Sequence, residues 1–404
     1  MAPEPAEDRS NDYDITDPNY QTDPYPIWDD LRGACPVSRT DSLGGSVLPL
    51  TWDTIAAVAY DTENFSSRDV GVLPAPPEAT TTLVAPPITS DPPFHTEARR
   101  ILLPFFSPRA VDALEKQTET IATELLDAIE ARLDAGESVA DAAADYAQHI
   151  PVRVIAHMLG IPRTDEPMFL GWAIDIFQDA ADDPAVGRTA TKEILAYFEA
   201  QVADRRAAPR DDLISELLRA ELDGAPLTPK HVLGTCFLLL MAGIDTTWSS
   251  IGSSLWHLAT HPDDRDRLVA DPELIPQAVE EFLRAYAPVT MARIATNDTE
   301  IGGCPIAAGD RVLLSFPAGN RDPEKFDRPS EVDLDRTRNR HFAFGIGIHR
   351  CLGSNLARME VRVAIESWLE RFGAYKLVPG VEVRWAGTQV RGPRAIPVHL
   401  RPNP

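Results

Sequence analysis

The segment FGIGIHRCLG, Phe344 to Gly353, constrains this chain more than any other. A cysteine sits among glycines, and a strong helical pattern, SNLARMEVRVAIESWLERF, starts directly after it. Cys351 therefore stands just before a helix N-terminus, where aligned amide dipoles stabilise a thiolate. Gly345 and Gly347 let the backbone approach a flat ligand closely and aim N–H groups at the sulfur. A thiolate so placed suits an axial ligand of haem iron, and it pushes electron density toward O–O cleavage. A lone cysteine in a turn is usually a small buried hydrophobe. The company of Phe344, His349 and Arg350 makes this pattern far more specific.

The remaining cysteines, Cys35, Cys236 and Cys304, form no CxxC pair and are expected to be free thiols. The formal net charge of -24 argues against non-specific nucleic-acid binding and against anionic membrane surfaces. Residues 1–30 lack a secretory h-region, and the apolar run Cys236 to Ala242 is too short to span a bilayer. The expectation is a cytoplasmic protein without nucleic-acid or membrane partners.

Periodicity predicts a mainly α fold with a minor β part in one domain, residues 1–404. Residues 1–30 read as an irregular arm, with a short helix starting in Thr22 to Arg32. A strand over Ser46 to Leu50 precedes a helix from Asp53 to Ala59. Helices follow at Pro108 to Ala135, Pro167 to Ala180 and Thr189 to Arg206, the last two forming a hairpin about the turn Ala181 to Gly187. Thr228 and Pro229 open one very long helix to Ala259, apolar all round in its middle and so running through the core. Shorter helices cover Asp263 to Ala270 and Ile275 to Ala287, then short strands over Thr299 to Leu314. A final helix spans Leu352 to Phe372. The proline-rich stretch Val70 to Pro87 reads as a binding loop.

The cysteine segment resembles the haem-binding signature of the cytochrome P-450 family, phenylalanine–glycine–x–glycine–x–histidine–x–cysteine–x–glycine, and matches every fixed position. The resemblance extends over nearly the whole chain. It implies the cytochrome P-450 fold of a bacterial soluble haem-thiolate monooxygenase, with haem b between the long central helix and the helix after the cysteine loop. Such an enzyme activates O₂ and inserts one oxygen atom, by hydroxylation or epoxidation, into a small, largely apolar substrate. Electrons come ultimately from NAD(P)H through a separate ferredoxin and reductase, since no flavin or ferredoxin segment is appended.

The resemblance also implies roles for residues. Phe344, Gly345, His349, Cys351 and Gly353 form the cofactor loop. His95, Arg99, Arg293 and His349 take the two haem carboxylates. Asp245 and Thr246, in AGIDTT of the long helix, serve oxygen: Thr246 holds it and Asp245 relays protons. Glu281 and Arg284 form a buried structural pair that locks the irregular stretch before the cysteine, through Arg321 or a neighbour. Phe237, Leu238, Ala242, Val289, Thr290, Met291, Gln389 and Val390 line the substrate pocket together with the proline-rich loop. A ferredoxin docks near Arg350, Arg358 and Arg362, in a cationic zone that includes Arg336, Arg338 and Arg340, with Asp335 and Glu360 opposing.

Overall fold

A computed structural model describes residues 13–73, 84–181 and 183–400. Its axis is the helix Pro229–Thr260. The Thr228 hydroxyl accepts from the His231 amide at 3.2 Å, and Pro229 takes the first helical position, where a missing N–H leaves no bond unmade. At 1.5 Å per residue this helix is roughly 48 Å long. By length and composition it could cross a membrane, which the short run Cys236 to Ala242 alone understates, but 61% of its most apolar window is buried inside the fold. Its serines are satisfied within the helix. Ser250, Ser253 and Ser254 donate to the carbonyls of Thr246, Ser249 and Ser250 at 2.8, 2.7 and 2.8 Å. A serine-rich half can therefore lie in the core without unpaired donors.

The helices His149–Met158, Pro184–Ala207 and Ser354–Phe372 pack on this axis. Ser354–Phe372 rests in turn on Pro108–Asp134, which Ser107 caps. Glu166–Phe177 and Pro184–Ala207 form the expected hairpin. The second helix starts inside the predicted turn because Asp183 accepts from the Ala185 amide at 2.9 Å and Pro184 follows as its first residue.

The larger sheet lies beside the helices. Its strands run in the spatial order Val37–Thr40, Ser46–Pro49, Arg311–Ser315, Thr290–Ala295 and Phe65–Ser66. Only the contact between Ser46–Pro49 and Arg311–Ser315 is parallel, with Val47 opposite Val312. A hairpin, Thr299–Ile301 with Cys304–Ile306, connects two of these strands.

The irregular arm is a correction. Its described part holds the helix Pro18–Thr22, and the expected short helix follows as Tyr25–Ala34. Asp17 caps the first, and Trp28, buried, donates to the Tyr20 hydroxyl at 2.8 Å, so aromatic burial holds an otherwise acidic segment down. Elements with no counterpart in the periodicity reading include the π-helical turn Ala142–Ala147, the helices His149–Met158 and Leu213–Arg219, and the strands Val37–Thr40 and Phe65–Ser66.

Candidate active site

The cysteine loop is built by short backbone contacts. The Cys351 amide donates to the Phe344 carbonyl at 2.7 Å, and the Gly345 amide to the Phe342 carbonyl at 2.7 Å. Gly347 has a φ of +72°, and a Cβ there would come within 2.4 Å of the Ala59 carbonyl oxygen. The loop thus lies backbone to backbone on helix Trp52–Tyr60, and only glycine allows it. The Arg358 guanidinium covers the Phe344 ring at 4.4 Å.

Cys351 is exposed, yet protein surrounds it closely enough that burial pushes its thiol pKa up. A hydrogen bond from the Gly353 amide and the charges of Arg99, Arg350 and Arg358 oppose that rise without overcoming it. The charge of a coordinated metal ion would favour the thiolate. Among the described residues no group of three or more His, Cys, Asp or Glu side chains could share a metal ion. A closed site of three or four such side chains around a metal on Cys351 is therefore not formed by the described residues.

The expected cations gather beside this loop. The rings of His95 and His349 lie 4.3 Å apart, Arg99 donates to the Arg350 carbonyl at 2.5 Å, and the Ser67 hydroxyl is 2.8 Å from His349 Nε2. Burial and the charges of Arg293, His95 and Arg99 hold the His349 pKa down at about 2. Burial lowers Arg293 to about 10. Both ring nitrogens of His95 are buried without a hydrogen-bond partner. The carboxylate that bears on His95 and Arg293, Asp91, already accepts from the Ser66 hydroxyl and from the Ser67 amide at 2.7 Å. Arg99 and Arg293 have no ion-pair partner among the described residues, both His95 nitrogens are unpartnered, and haem brings two carboxylates. The residues present fit haem.

In the long helix, Ala242 is exposed although its neighbours along the axis are largely buried. The Thr246 hydroxyl, one turn on, donates back to the Ala242 carbonyl at 2.9 Å. Asp245 points elsewhere. It is 2% exposed and forms a buried ion pair with Arg394, whose Nη2 lies 3.2 Å from Oδ2; Ser249 donates to it as well, at 3.4 Å. Burial raises the Asp245 pKa, opposed by Arg394. No sequence spacing marks Arg394, which lies 149 residues away in the chain.

The expected pocket residues come from three segments, of which two are bonded together. Val289 bridges Val390, the Thr290 amide donates to the Gln389 carbonyl at 2.9 Å, and Gln389 Nε2 lies 3.3 Å from Met291 Sδ. Phe237 and Leu238 are half-buried on the long helix. The ends of the proline-rich loop join this frame: the Ala292 amide donates to the Val70 carbonyl at 3.0 Å, and a Cβ at Gly234 would lie 2.0 Å from the Val84 carbonyl oxygen. Residues 74–83 of that loop lie outside the described residues.

Glu281 and Arg284 pair at 2.7 and 2.9 Å with side chains 1% and 0% exposed. Arg284 also donates to the carbonyls of Asn320, Pro329 and Glu331. The charged third partner is Arg336, not Arg321; the latter stacks on Tyr25 and donates to the Ala285 carbonyl. Arg336 therefore leaves the proposed docking zone. Arg358 binds Glu280, and Arg362 binds Glu115 and Glu366. Glu360 is not a surface acid. It is buried, its pKa is raised to about 8 by that burial, and the Thr247 hydroxyl opposes the rise by a hydrogen bond. Arg338, Arg340 and Arg350 stay exposed, with no ion pair among the described residues. Arg340, Arg350 and Arg358 edge a cleft of about 630 Å³ on the outer side of the cysteine loop, with Trp52, Tyr60 and Phe342.

Comparison with known proteins agrees with this geometry. The family described as Cytochrome P450 matches residues 166–384. Cytochrome P450 monooxygenase PikC of Streptomyces venezuelae is 35% identical over 95% of this chain and 92% of its own length. Mycinamicin IV hydroxylase/epoxidase of Micromonospora griseorubida is 36% identical over 77% of this chain and 79% of its own. The crystal structure of CYP109E1 from Bacillus megaterium in complex with testosterone superimposes with a TM-score of 0.85 at 30% identity, covering 94% of this chain and 98% of that one.

Proposed function

Because the chain belongs to the cytochrome P450 family, and is thereby a haem b monooxygenase that uses O₂ and NAD(P)H-derived electrons on a small molecule in secondary metabolism, we propose that it hydroxylates or epoxidises a largely apolar substrate with electrons from a separate ferredoxin. One observation carries the reading. Cys351 is exposed in a half-buried loop, and Ala242 is exposed on a helix whose neighbouring turns are largely buried, which supports open space beside both. Bound haem supplies the oxidising chemistry, and the chain supplies position and protons.

The roles follow from what each side chain touches. Cys351 would hold the iron of haem, and His95, Arg99, Arg293 and His349 would take its carboxylates. The Thr246 hydroxyl, now on the Ala242 carbonyl, would orient a proton donor on the oxygen side of that group. Asp245 passes protons inward only after loosening from Arg394, so the buried pair acts as a gate on delivery. Half-buried Phe237, Leu238, Val289, Met291 and Val390 exclude water, and Thr290 orients the substrate. The pocket carries no charge among these residues, in keeping with an apolar guest. The testosterone bound by CYP109E1 has that character. The whole chain, residues 1–404, works as one catalytic domain in the cytoplasm, where reduced nicotinamide is at hand.

Exposed Arg338, Arg340 and Arg350, with Arg358 at the edge of the cleft, support docking of an acidic ferredoxin against the cysteine loop. Reconstitution with a ferredoxin, its reductase and a steroid or fatty-acid panel is the test. The reading expects an oxygenated product, and a turnover rate that falls with added salt and with Arg350→Glu. Product formation indifferent to salt and to Arg350 would remove the docking assignment. No oxygenated product from any apolar compound would remove the substrate class.

A further inference from the structure

Cys35 and Cys304 are distant in the sequence and adjacent in the fold. Their sulfurs lie 3.9 Å apart, and both side chains are half-buried. Neither belongs to the haem site. We propose that this pair is a modification site, a dithiol that closes to a Cys35–Cys304 disulfide when hydrogen peroxide reaches it.

The elements carrying the two cysteines are braced together. Cys35 ends helix Tyr25–Ala34, its amide donating to the Leu31 carbonyl at 2.9 Å, and strand Val37–Thr40 follows. Cys304 begins the second strand of the hairpin and sits opposite Ile301. Arg39 reaches across, donating to the Pro305 carbonyl and to Asp310 Oδ2 at 3.3 Å. A Cβ at Gly302 would touch Val37 at 3.9 Å. Contacts on either side thus fix the approach of the two sulfurs. To reach the bond length of about 2.05 Å the sulfurs must approach by a further ~1.8 Å. Cys236 is fully buried, and Cys351 is assigned to iron, so Cys35 and Cys304 are the thiols a small oxidant meets first.

The chemistry balances with one molecule of peroxide. One thiol attacks it, becoming a sulfenic acid and releasing water. The second thiol displaces the hydroxyl from that sulfur, forming the S–S bond and a second water. Two thiols lose two hydrogens and two electrons, and the peroxide takes them up. Burial and the neighbouring Cys35 push the Cys304 thiol pKa up, with Arg39 opposing, and since the thiolate is the nucleophile, closure should quicken as pH rises.

The test uses the holoenzyme, reduced and then treated with a few equivalents of hydrogen peroxide. Free thiols are alkylated, and the protein is digested without reductant. The proposal expects a peptide joining residue 35 to residue 304 at a mass two hydrogens below the sum. It also expects a melting temperature higher by about 5 °C, since the bridge closes a long loop, with both effects reversed by dithiothreitol. Cys35→Ser and Cys304→Ser should each abolish the linked peptide and the thermal shift while leaving haem content unchanged. Oxidation of either cysteine to a sulfinic acid without a linked peptide would overturn the proposal. So would two thiols that still alkylate fully after peroxide.

Discussion

The Nε of Arg336 lies 3.0 Å from Oε2 of Glu281. Glu281 also accepts from the Asp333 amide at 2.8 Å and from Asn339 at 3.0 Å, besides its pair with Arg284. One buried carboxylate thus gathers the irregular stretch before the cysteine onto helix Ile275–Ala285. Glu281→Ala would leave two buried guanidiniums uncompensated, at a cost of roughly 3–5 kcal/mol, and should yield little haem protein. Arg336→Ala keeps the inner pair and should lose less, with lower haem content but a folded chain. Haem-to-protein ratio and melting temperature read both. Equal losses for the two variants would mean that Glu281 does not organise the group.

Cys351→Ala should abolish the thiolate-type carbon monoxide difference spectrum of the reduced protein. Cys35→Ala, Cys236→Ala and Cys304→Ala should each retain it. A thiolate spectrum surviving in the Cys351 variant would place the iron on another cysteine.

Thr246→Ala should bind substrate normally and still consume reduced cofactor, but divert much of it to hydrogen peroxide. The hydroxyl reaches only the Ala242 carbonyl within the fold, so its loss leaves no buried partner stranded and should cost little stability. On the proposed role, it removes a hydroxyl that would orient a proton donor beside the oxygen site. The ratio of product to reduced cofactor consumed, with peroxide assayed in parallel, decides. An unchanged ratio would remove Thr246 from proton delivery.

Glu360 gives the protein a stability that depends on pH. Its folded pKa of about 8 lies above the ordinary 4.5, because burial disfavours the charge. As pH rises from about 4.5 to about 8 the unfolded chain releases a proton that the folded one keeps, so this group's contribution is full below that window and lost through it. Glu360→Gln should remove the slope, and should be more stable than the parent at about pH 9 by on the order of 2 kcal/mol. Urea midpoints at about pH 5 and about pH 9 measure it. Parallel pH profiles for the two proteins would mean that Glu360 is already ionised.

What the sequence reveals of this molecule follows the range of the interactions. The long helix is legible because its signals, the cap Thr228 with Pro229 and the apolar middle, lie within one segment. The same holds for Glu281 and Arg284, three residues apart on one helix face. The acid–base pairs are not. Asp245 finds Arg394 across 149 residues, and Glu360 meets Thr247 from another helix, so its burial could not be read from RMEVR, where it looks like a surface acid. The arginines near Cys351 read as one cationic zone, whereas packing gives Arg336, Arg358 and Arg362 to Glu281, Glu280 and Glu115. The helix His149–Met158 was missed because Pro151 sits in its first turn, where proline is tolerated but breaks the expected pattern.

The bonds around Glu281 also bear on the order of assembly. Its partners lie at most 58 residues along the chain, whereas Arg371 reaches Glu130 across 241. Closing the shorter loops costs less chain entropy. The wall behind the cysteine should therefore form early, as a scaffold waiting for haem, while the helices from Pro108 to Ala207 settle later. Amide exchange on haem-free protein should find residues 281–339 protected while the slots of His95 and Arg99 still open and close.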